Sequence, residues 1–159
     1  MKLLLMYPPS TEHLAALAAA APGARIEAAT DEAAAARAIV DADAVLGNRW
    51  FLQSLPHAGR LRWMQSNSVG VDPILEAAPR LDGIVLTCSR GVYADEVAEH
   101  AVALVLALSR GIHLARDGQR ERRWVRRPLE VLSGRRALVL GWGGVGRGVA
   151  SRLAGLRLR

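Results

Sequence analysis

Residues 136–155, RALVLGWGGVGRGVASRLAG, constrain the fold of this chain more than any other stretch. Residues 137–140 form a short apolar run, which predicts a strand. Three glycines follow in G-x-G-x-x-G spacing, namely Gly141, Gly143 and Gly146. Apolar residues then recur at helical spacing as far as Leu153. The stretch therefore predicts a strand, a glycine turn and a helix in succession.

A strand, glycine turn and helix in this order are typical of a binding site for the pyrophosphate of a dinucleotide. Gly141 allows the tight turn, Gly143 lets the pyrophosphate approach, and Gly146 lets the helix pack closely on the strand. The helix N-terminus adds unpaired N–H groups and a partial positive charge. The same spacing also occurs in purely structural turns, so the motif alone leaves that alternative open. An acidic residue that holds the ribose is expected about 20 residues further on, and the sequence ends before it, at Arg159.

Length and composition predict a soluble chain of one domain and part of a second. It has 159 residues, of which 51% are apolar, so a core can be buried. Cys88 is the only cysteine, which excludes an internal disulfide and suits a reducing cytoplasm. The most apolar predicted helical segment, residues 101–108, is far too short for a membrane span. We therefore expect a cytoplasmic protein without a membrane segment.

The net charge of +6 is concentrated in the second half of the chain. Residues 81–159 carry 14 basic and 7 acidic side chains, and the densest run is QRERRWVRR at residues 119–127. A basic stripe that includes an aromatic residue can bind nucleic acid. Such a run is more often a solvated helix face, and arginine is abundant along the whole chain. We therefore do not expect a nucleic-acid partner.

Strands and helices alternate through the first half, which predicts a parallel sheet covered by helices. Five strands are expected, at residues 2–6, 25–28, 43–47, 61–65 and 83–87. The first two helices are expected from Ser10 or Thr11 to Ala21 and, with Thr30 as N-cap, as far as Val40. A helical turn at residues 51–55 is expected to end at Pro56. A fourth helix is expected over residues 74–78, with Asp72 as N-cap and Pro73 as its first residue.

The loop at residues 66–73 joins a predicted strand to a predicted helix N-terminus and consists mainly of small residues. Gly70 lets a ligand approach the backbone, and the amides of Val69 and Gly70 are placed to hold a carboxylate. An ordinary turn between strand and helix explains the same residues equally well. The sequence alone leaves both interpretations open.

A long helix is predicted over residues 94–110, with a possible extension to Arg116. Its middle is apolar nearly all round, so it should be buried or lie in a subunit interface. A polar arm at residues 117–132 joins it to the strand of the glycine motif. The expected domain boundary lies near residues 91–94.

Four landmarks, in order, resemble the D-isomer-specific 2-hydroxyacid dehydrogenase family. They are LRWMQSNSVGVD at residues 61–72, VAEHAVALVLALSR at residues 97–110, Gln119 with Trp124, and LSGRRALVLGWGGVG at residues 132–146. Within the family, the chain resembles the glyoxylate/hydroxypyruvate reductase and phosphoglycerate dehydrogenase-like members. The resemblance covers essentially the whole chain, which corresponds to about the first half of a family member.

The resemblance implies an α/β fold with two parts: a flavodoxin-like parallel-sheet substrate domain at residues 1–93, and the first βα unit of a Rossmann coenzyme domain at residues 94–159. The coenzyme is NAD or NADP, and the residues implied for its pyrophosphate turn are Gly141, Gly143, Gly144, Val145 and Gly146. The backbone of Val69 and Gly70 would hold the carboxylate of a small 2-hydroxy or 2-keto acid. Residues 97–132 resemble the segment that pairs two subunits, which implies a homodimer.

The activity implied by the resemblance is hydride transfer between a nicotinamide and the acid. The family's catalytic arginine, glutamate and histidine follow the glycine motif, whereas all four histidines of this chain precede it. We therefore assign no catalytic residue and no metal ligand, and we expect a truncated dehydrogenase that is inactive alone. The alternatives are a non-catalytic module that binds a small molecule or a protein, and an arginine-rich nucleic-acid binder.

Overall fold

The computed structural model describes residues 1–76 and 81–159. The chain divides into two compact units, Met1–Arg90 and Gly91–Arg159. The first unit contains a sheet with its covering helices, and the second consists of three helices and the segments that connect them.

A five-stranded parallel sheet forms the centre of the first unit. Its strand order is β2-β1-β3-β4-β5, and every neighbouring pair is parallel. This is the order of flavodoxin-like folds, so the predicted fold class is confirmed. The strands are β1 (Lys2–Leu5), β2 (Arg25–Ala28), β3 (Ala44–Leu46), β4 (Trp63–Gln65) and β5 (Val85–Thr87). All lie within the predicted ranges, and four are shorter than predicted.

The helices of the first unit follow the expected order, and two of their predicted N-caps are wrong. They are α1 (Thr11–Ala20), α2 (Glu32–Ala38), α3 (Phe51–Ser54) and α4 (Asp72–Leu75). Ser10 caps α1, since its hydroxyl accepts the His13 N–H at 3.2 Å. The N-cap of α2 is Asp31 rather than Thr30, because the Asp31 carboxylate accepts the Ala34 N–H at 2.7 Å.

The two prolines near α3 and α4 also differ from expectation. Pro56 does not end the helical turn, because it lies in the 3-10 turn Leu55–His57, where the missing N–H of an early helical position costs little. The N-cap of α4 is Val71, so Asp72 is a helical residue and precedes Pro73. Ala77 and Ala78, the predicted end of this helix, lie outside the described residues.

The core of the first unit packs on both faces of β1. Alternate residues of a strand point to opposite faces, so Leu4 joins one buried cluster while Leu3 and Leu5 join another. The larger cluster also contains Phe51 and Met64, both fully buried. Because both faces of the central strands are covered, their sequence reads as continuous apolar runs rather than as an alternation.

A charge cluster around the buried Lys2 closes the amino end of the sheet. Lys2, the only lysine, is 5% exposed, and its ammonium donates to the Ala38 carbonyl at 2.7 Å and pairs with the carboxylates of Asp41 and Glu27. The Lys2 backbone N–H donates to Asp43 at 2.6 Å. The hydrogen bond from the Lys2 ammonium lowers the pKa of Asp41, and the bond from its N–H lowers that of Asp43.

The second unit contains α5 (Ala94–Ser109), α6 (Ile112–Arg120) and α7 (Gly144–Gly155). The predicted extension of α5 to Arg116 is wrong, because Gly111 adopts a left-handed conformation (φ 60°) and the helix axes bend by 65° there. The first residues of the predicted polar arm are therefore helical.

Within the described residues, no helix has by itself the length and apolar character to cross a membrane. Helices α5 and α6 together have sufficient length and apolar character, but the 65° bend between them interrupts the pair.

The predicted strand at residues 137–140 belongs to no strand ladder in the described part of the chain. The Arg159 N–H donates to the Arg135 carbonyl at 2.8 Å, and the Ala137 N–H donates to the Arg159 carbonyl at 2.8 Å. Arg159 thus donates to one residue and accepts from the residue two positions further on, which is the hydrogen-bond pattern of two short parallel segments. Beyond this pairing, Leu138 and Leu140 are 83% and 86% exposed. An apolar run predicts a strand locally, but the ladder also requires a neighbouring strand.

The charge cluster predicts a specific loss of stability in acid. A carboxyl whose pKa is lower in the folded state stabilises the fold above its unfolded pKa, and that contribution is lost as the pH falls through the folded value. The melting temperature of Asp41→Asn should therefore lie below that of the parent at neutral pH, and the two should converge as the pH falls well below the usual aspartate pKa of about 3.9. Thermal unfolding between neutral and acid pH measures this. Asp82→Asn, at an exposed aspartate outside the cluster, is the control, and parallel curves for Asp41→Asn and the parent would contradict the role of Asp41.

Candidate functional site

Two glycines of the G-x-G-x-x-G motif occupy positions in the second unit that disfavour any other residue, one because of its backbone conformation and one because of its neighbours. Gly141 has a φ of 98°, a left-handed conformation that disfavours other residues. A Cβ on Gly146 would collide with the carbonyl oxygen of Gly141 and lie 3.4 Å from Val139 Cγ1. The start of α7 therefore lies directly against the turn that precedes it.

Gly143 is surrounded by open space. A Cβ built there would have no heavy atom within 4 Å, so nothing in the described chain requires a glycine at this position on steric grounds. Gly143 is the N-cap of α7, and the first turn of α7 has neither a capping side chain nor an acidic residue. Its amides and partial positive charge are thus left for an external anion.

Small residues and an ion pair hold α7 against α5. A Cβ on Gly144 would lie 3.2 Å from Ala94 Cβ, and one on Gly148 would lie 2.9 Å from Ala98 Cβ. One turn further, the Arg152 guanidinium contacts Asp95 and Glu99 at 3.1 Å each, and these hydrogen bonds raise the pKa of Arg152. Sequence reasoning missed this contact. The sequence feature that could have predicted this contact is the i, i+4 spacing of small residues on both helices.

An arginine lies beside the glycine turn. The Arg147 guanidinium donates to the Trp142 carbonyl at 3.0 Å, while the indole of Trp142 is exposed. This bond holds a positive charge near the N-terminus of α7, where it adds to the positive end of the helix dipole.

The predicted anion loop of the first unit begins at the carboxyl end of β4. Ser66 is fully buried, and its hydroxyl accepts the Ser68 N–H at 3.0 Å and contacts the Ser68 carbonyl at 3.2 Å. Val69 and Gly70 follow, and both are exposed. A Cβ on Gly70 would meet only Asp72 Oδ2, at 3.8 Å. The backbone at these two residues is therefore accessible to a ligand.

Two neighbouring loops contact this segment, and sequence reasoning missed both. The Asn48 side-chain amide donates to the Ser68 hydroxyl at 3.0 Å. From the other side, the Ser89 N–H donates to the Ser68 carbonyl at 3.1 Å, and the Ser89 hydroxyl donates to the Ser66 carbonyl at 3.0 Å. Asn48 and Ser89 each lie two residues beyond a strand, at the sheet edge where open parallel sheets bind ligands.

His13 packs against an aromatic ring of the first unit. His13 stacks on Tyr7 with ring centroids 5.7 Å apart, and its Nδ1 lies 3.3 Å from the Tyr7 hydroxyl, whose pKa is raised by burial. Among residues 1–76 and 81–159, no group of three or more His, Cys, Asp or Glu side chains could hold a metal ion.

The basic run of the second unit borders a cavity. Helix α6 and the segment after it line an open concavity of about 720 Å³. Six arginines contribute to its lining, namely Arg110, Arg116, Arg122, Arg123, Arg126 and Arg127. Trp124 also borders this cavity and is 88% exposed. The run is thus a solvated surface around a concavity rather than one helix face.

Comparison with known proteins identifies the architecture. Residues 102–159 match the family model described as D-isomer specific 2-hydroxyacid dehydrogenase, NAD binding domain. The chain is 34% identical to the glyoxylate/hydroxypyruvate reductase HPR3 of Arabidopsis thaliana over 103 residues, which is 62% of this chain and 32% of that protein. It is 37% identical to the D-3-phosphoglycerate dehydrogenase of Archaeoglobus fulgidus over 103 residues, 64% of this chain and 20% of that protein.

A solved structure gives the same result across nearly the whole chain. The D-isomer specific 2-hydroxyacid dehydrogenase family protein from Aeromonas salmonicida superimposes with a TM-score of 0.90 at 30% identity, covering 99% of this chain and 51% of that one. These matches all indicate the D-isomer-specific 2-hydroxyacid dehydrogenase family, and residues 102–159 match the part described as its NAD binding domain. The chain spans about half the length of that solved relative, and its alignments cover about a third or less of the two curated ones.

A crowded glycine and an open glycine of α7 should change the melting temperature differently when each is replaced by alanine. Alanine normally stabilises a helix relative to glycine, but at Gly146 its Cβ would collide with the Gly141 carbonyl. Gly146→Ala should therefore lower the melting temperature by about 5 °C or more. Gly155→Ala, at the open end of the same helix, should leave it unchanged or raise it. Equal melting temperatures for the two variants, measured by circular dichroism, would contradict the close packing at Gly146.

Proposed function

We propose that this chain provides the coenzyme turn and the substrate-carboxylate loop of an NAD(P)-dependent dehydrogenase acting on a small 2-hydroxy or 2-keto acid. The observation that carries the proposal is the glycine turn. Gly146 packs against the turn, the space at Gly143 is open, and α7 begins without a cap. These features fit a pyrophosphate, because they bring main-chain N–H donors to an accessible surface.

We propose that residues 1–93 form the substrate domain and that residues 94–159 begin the coenzyme domain. The flavodoxin-like sheet of the first unit and the family match over residues 102–159 support this division. A cytoplasmic location is part of the proposal, because nicotinamide chemistry and a single cysteine suit a reducing compartment.

The proposed roles of the chain's own residues are binding and orientation. When bound, the nicotinamide supplies or accepts the hydride. The residues that would hold the pyrophosphate are Gly141, Gly143, Gly144, Val145 and Gly146. The amides of Val69 and Gly70 would donate to the substrate carboxylate, a charge-assisted bond that is stronger than a neutral one. None of these groups transfers a proton, so we expect residues 1–159 alone to bind ligands without turnover.

Coenzyme binding tests the proposed turn. NADH or NADPH should bind saturably, as measured by titration calorimetry, and Gly143→Val should weaken binding by about tenfold or more because its side chain fills the open space. Valine suits the extended backbone at this position (φ −77°, ψ −168°), so folding should be preserved. Gly155→Ala is the matched control.

Two results would count against this account of the turn and the chain. Equal affinities for Gly143→Val and the parent would show that the dinucleotide binds elsewhere. Reduction of glyoxylate or hydroxypyruvate with NADH by residues 1–159 alone would contradict the assignment of no catalytic residue to this chain.

We further propose a homodimer formed through residues 97–132. Large apolar side chains are exposed along this stretch, where a solvated helix would carry polar residues. They include Val97, Leu104, Leu108, Ile112, Trp124 and Val131.

Replacing one of these exposed residues tests the dimer. Leu108→Glu should convert the dimer to a monomer, because a charged carboxylate would be desolvated in the interface. The mass should be measured by light scattering at micromolar concentration. Leu14→Glu, at an exposed leucine of the first unit, is the control. A monomeric parent protein would contradict the proposal.

A further inference from the structure

Three loops of the first unit meet at Ser68, and together they engage each of its polar groups. Its N–H donates to the Ser66 hydroxyl at 3.0 Å, and its hydroxyl accepts from the Asn48 amide at 3.0 Å. Its carbonyl accepts the Ser89 N–H at 3.1 Å and contacts the Ser66 hydroxyl at 3.2 Å. An exposed loop residue of this kind would otherwise be free to reorient.

The bonds at the Ser68 carbonyl also fix the direction of the next N–H group. The peptide bond is planar and trans, so the carbonyl of Ser68 and the N–H of Val69 point in opposite directions within one rigid unit. Holding the carbonyl toward Ser66 and Ser89 therefore directs the Val69 N–H away from them. That N–H is one of the two donors proposed for the substrate carboxylate.

We propose that Asn48, Ser66 and Ser89 are positioning residues that fix the Val69 N–H, one of the two proposed donors, for a carboxylate before it binds. The inference rests on the proposed role of the Val69 and Gly70 amides in holding the substrate. Donors that are already oriented do not lose conformational freedom on binding, so the ligand is held more tightly.

Ser66 is itself rigidly held, as this role requires. Its N–H donates to the Thr87 carbonyl at 2.8 Å, and its carbonyl accepts from the Ser89 hydroxyl at 3.0 Å and the Gln65 amide at 2.7 Å. The Thr87 hydroxyl in turn donates to Gln65 Oε1 at 2.6 Å. The loop is thus connected through hydrogen bonds to the ends of β4 and β5.

Asn48 is the most informative residue to replace, because it lies outside the loop of residues 66–73 and its side chain contacts that loop through Ser68. Its bond to Ser68 joins two loops that are 20 residues apart in sequence. A purely structural bond would affect stability alone, whereas a positioning bond affects carboxylate affinity at the Val69 and Gly70 amides.

The experiment is a titration of the full chain with oxalate, a planar analogue of a 2-keto acid, followed by ¹⁵N amide spectra. In the parent protein, the Val69 and Gly70 resonances should shift saturably. Asn48→Ala and Ser68→Ala should each weaken oxalate binding by about fivefold, the effect of one lost hydrogen bond. Ser68→Thr, which keeps the hydroxyl, should restore affinity to within about twofold of the parent. Gln53→Ala, at an exposed amide on α3, is the control.

Melting temperatures and amide exchange keep the test decisive if a variant is destabilised. Faster exchange at Ser68 and Ser89 in Asn48→Ala, with an unchanged melting temperature and weaker oxalate binding, supports the proposal. Unchanged oxalate affinity in both alanine variants overturns it while leaving the carboxylate site intact. Absence of saturable shifts at Val69 and Gly70 in the parent overturns both the carboxylate site and this inference.

Discussion

The close approach of the α7 backbone to the carbonyl of Gly141 is the contact on which the proposed coenzyme site depends. It is possible only because Gly146 has no side chain. The same helix packs on α5 through Gly144 and Gly148, and Arg152 reinforces that contact. The direction of α7, and therefore of its N-terminal amides, is set by the absence of side chains along one face.

In the proposed carboxylate loop, hydrogen bonds orient the main-chain N–H groups. In the coenzyme turn, steric requirements orient the main chain, whereas at Ser68 polar bonds from neighbouring loops do so. Both proposed sites would bind anions through N–H groups that do not titrate in the physiological range. The pH dependence of binding should therefore follow the ligand rather than these donors.

The sequence predicts the central strands well because they are continuous apolar runs bounded by turn residues, as Leu3, Leu4 and Leu5 illustrate. It predicts local choices less well. Thr30 and Asp31 can both cap a helix, and only the structure shows which carboxylate or hydroxyl reaches the N–H. The break at Gly111 was missed because a single glycine is often tolerated inside a helix. The bonds of Asn48 and Ser89 join loops at least 20 residues apart, beyond any local pattern.

The most direct test of the central claim is a crystal structure of the chain with NAD⁺ bound. The account predicts the pyrophosphate beside Gly143, within hydrogen-bond distance of the first-turn amides of α7. The arginine-lined cavity of the same unit offers the competing anion site. A pyrophosphate found there, with the glycine turn empty, would contradict the assignment of Gly141, Gly143 and Gly146 to coenzyme binding.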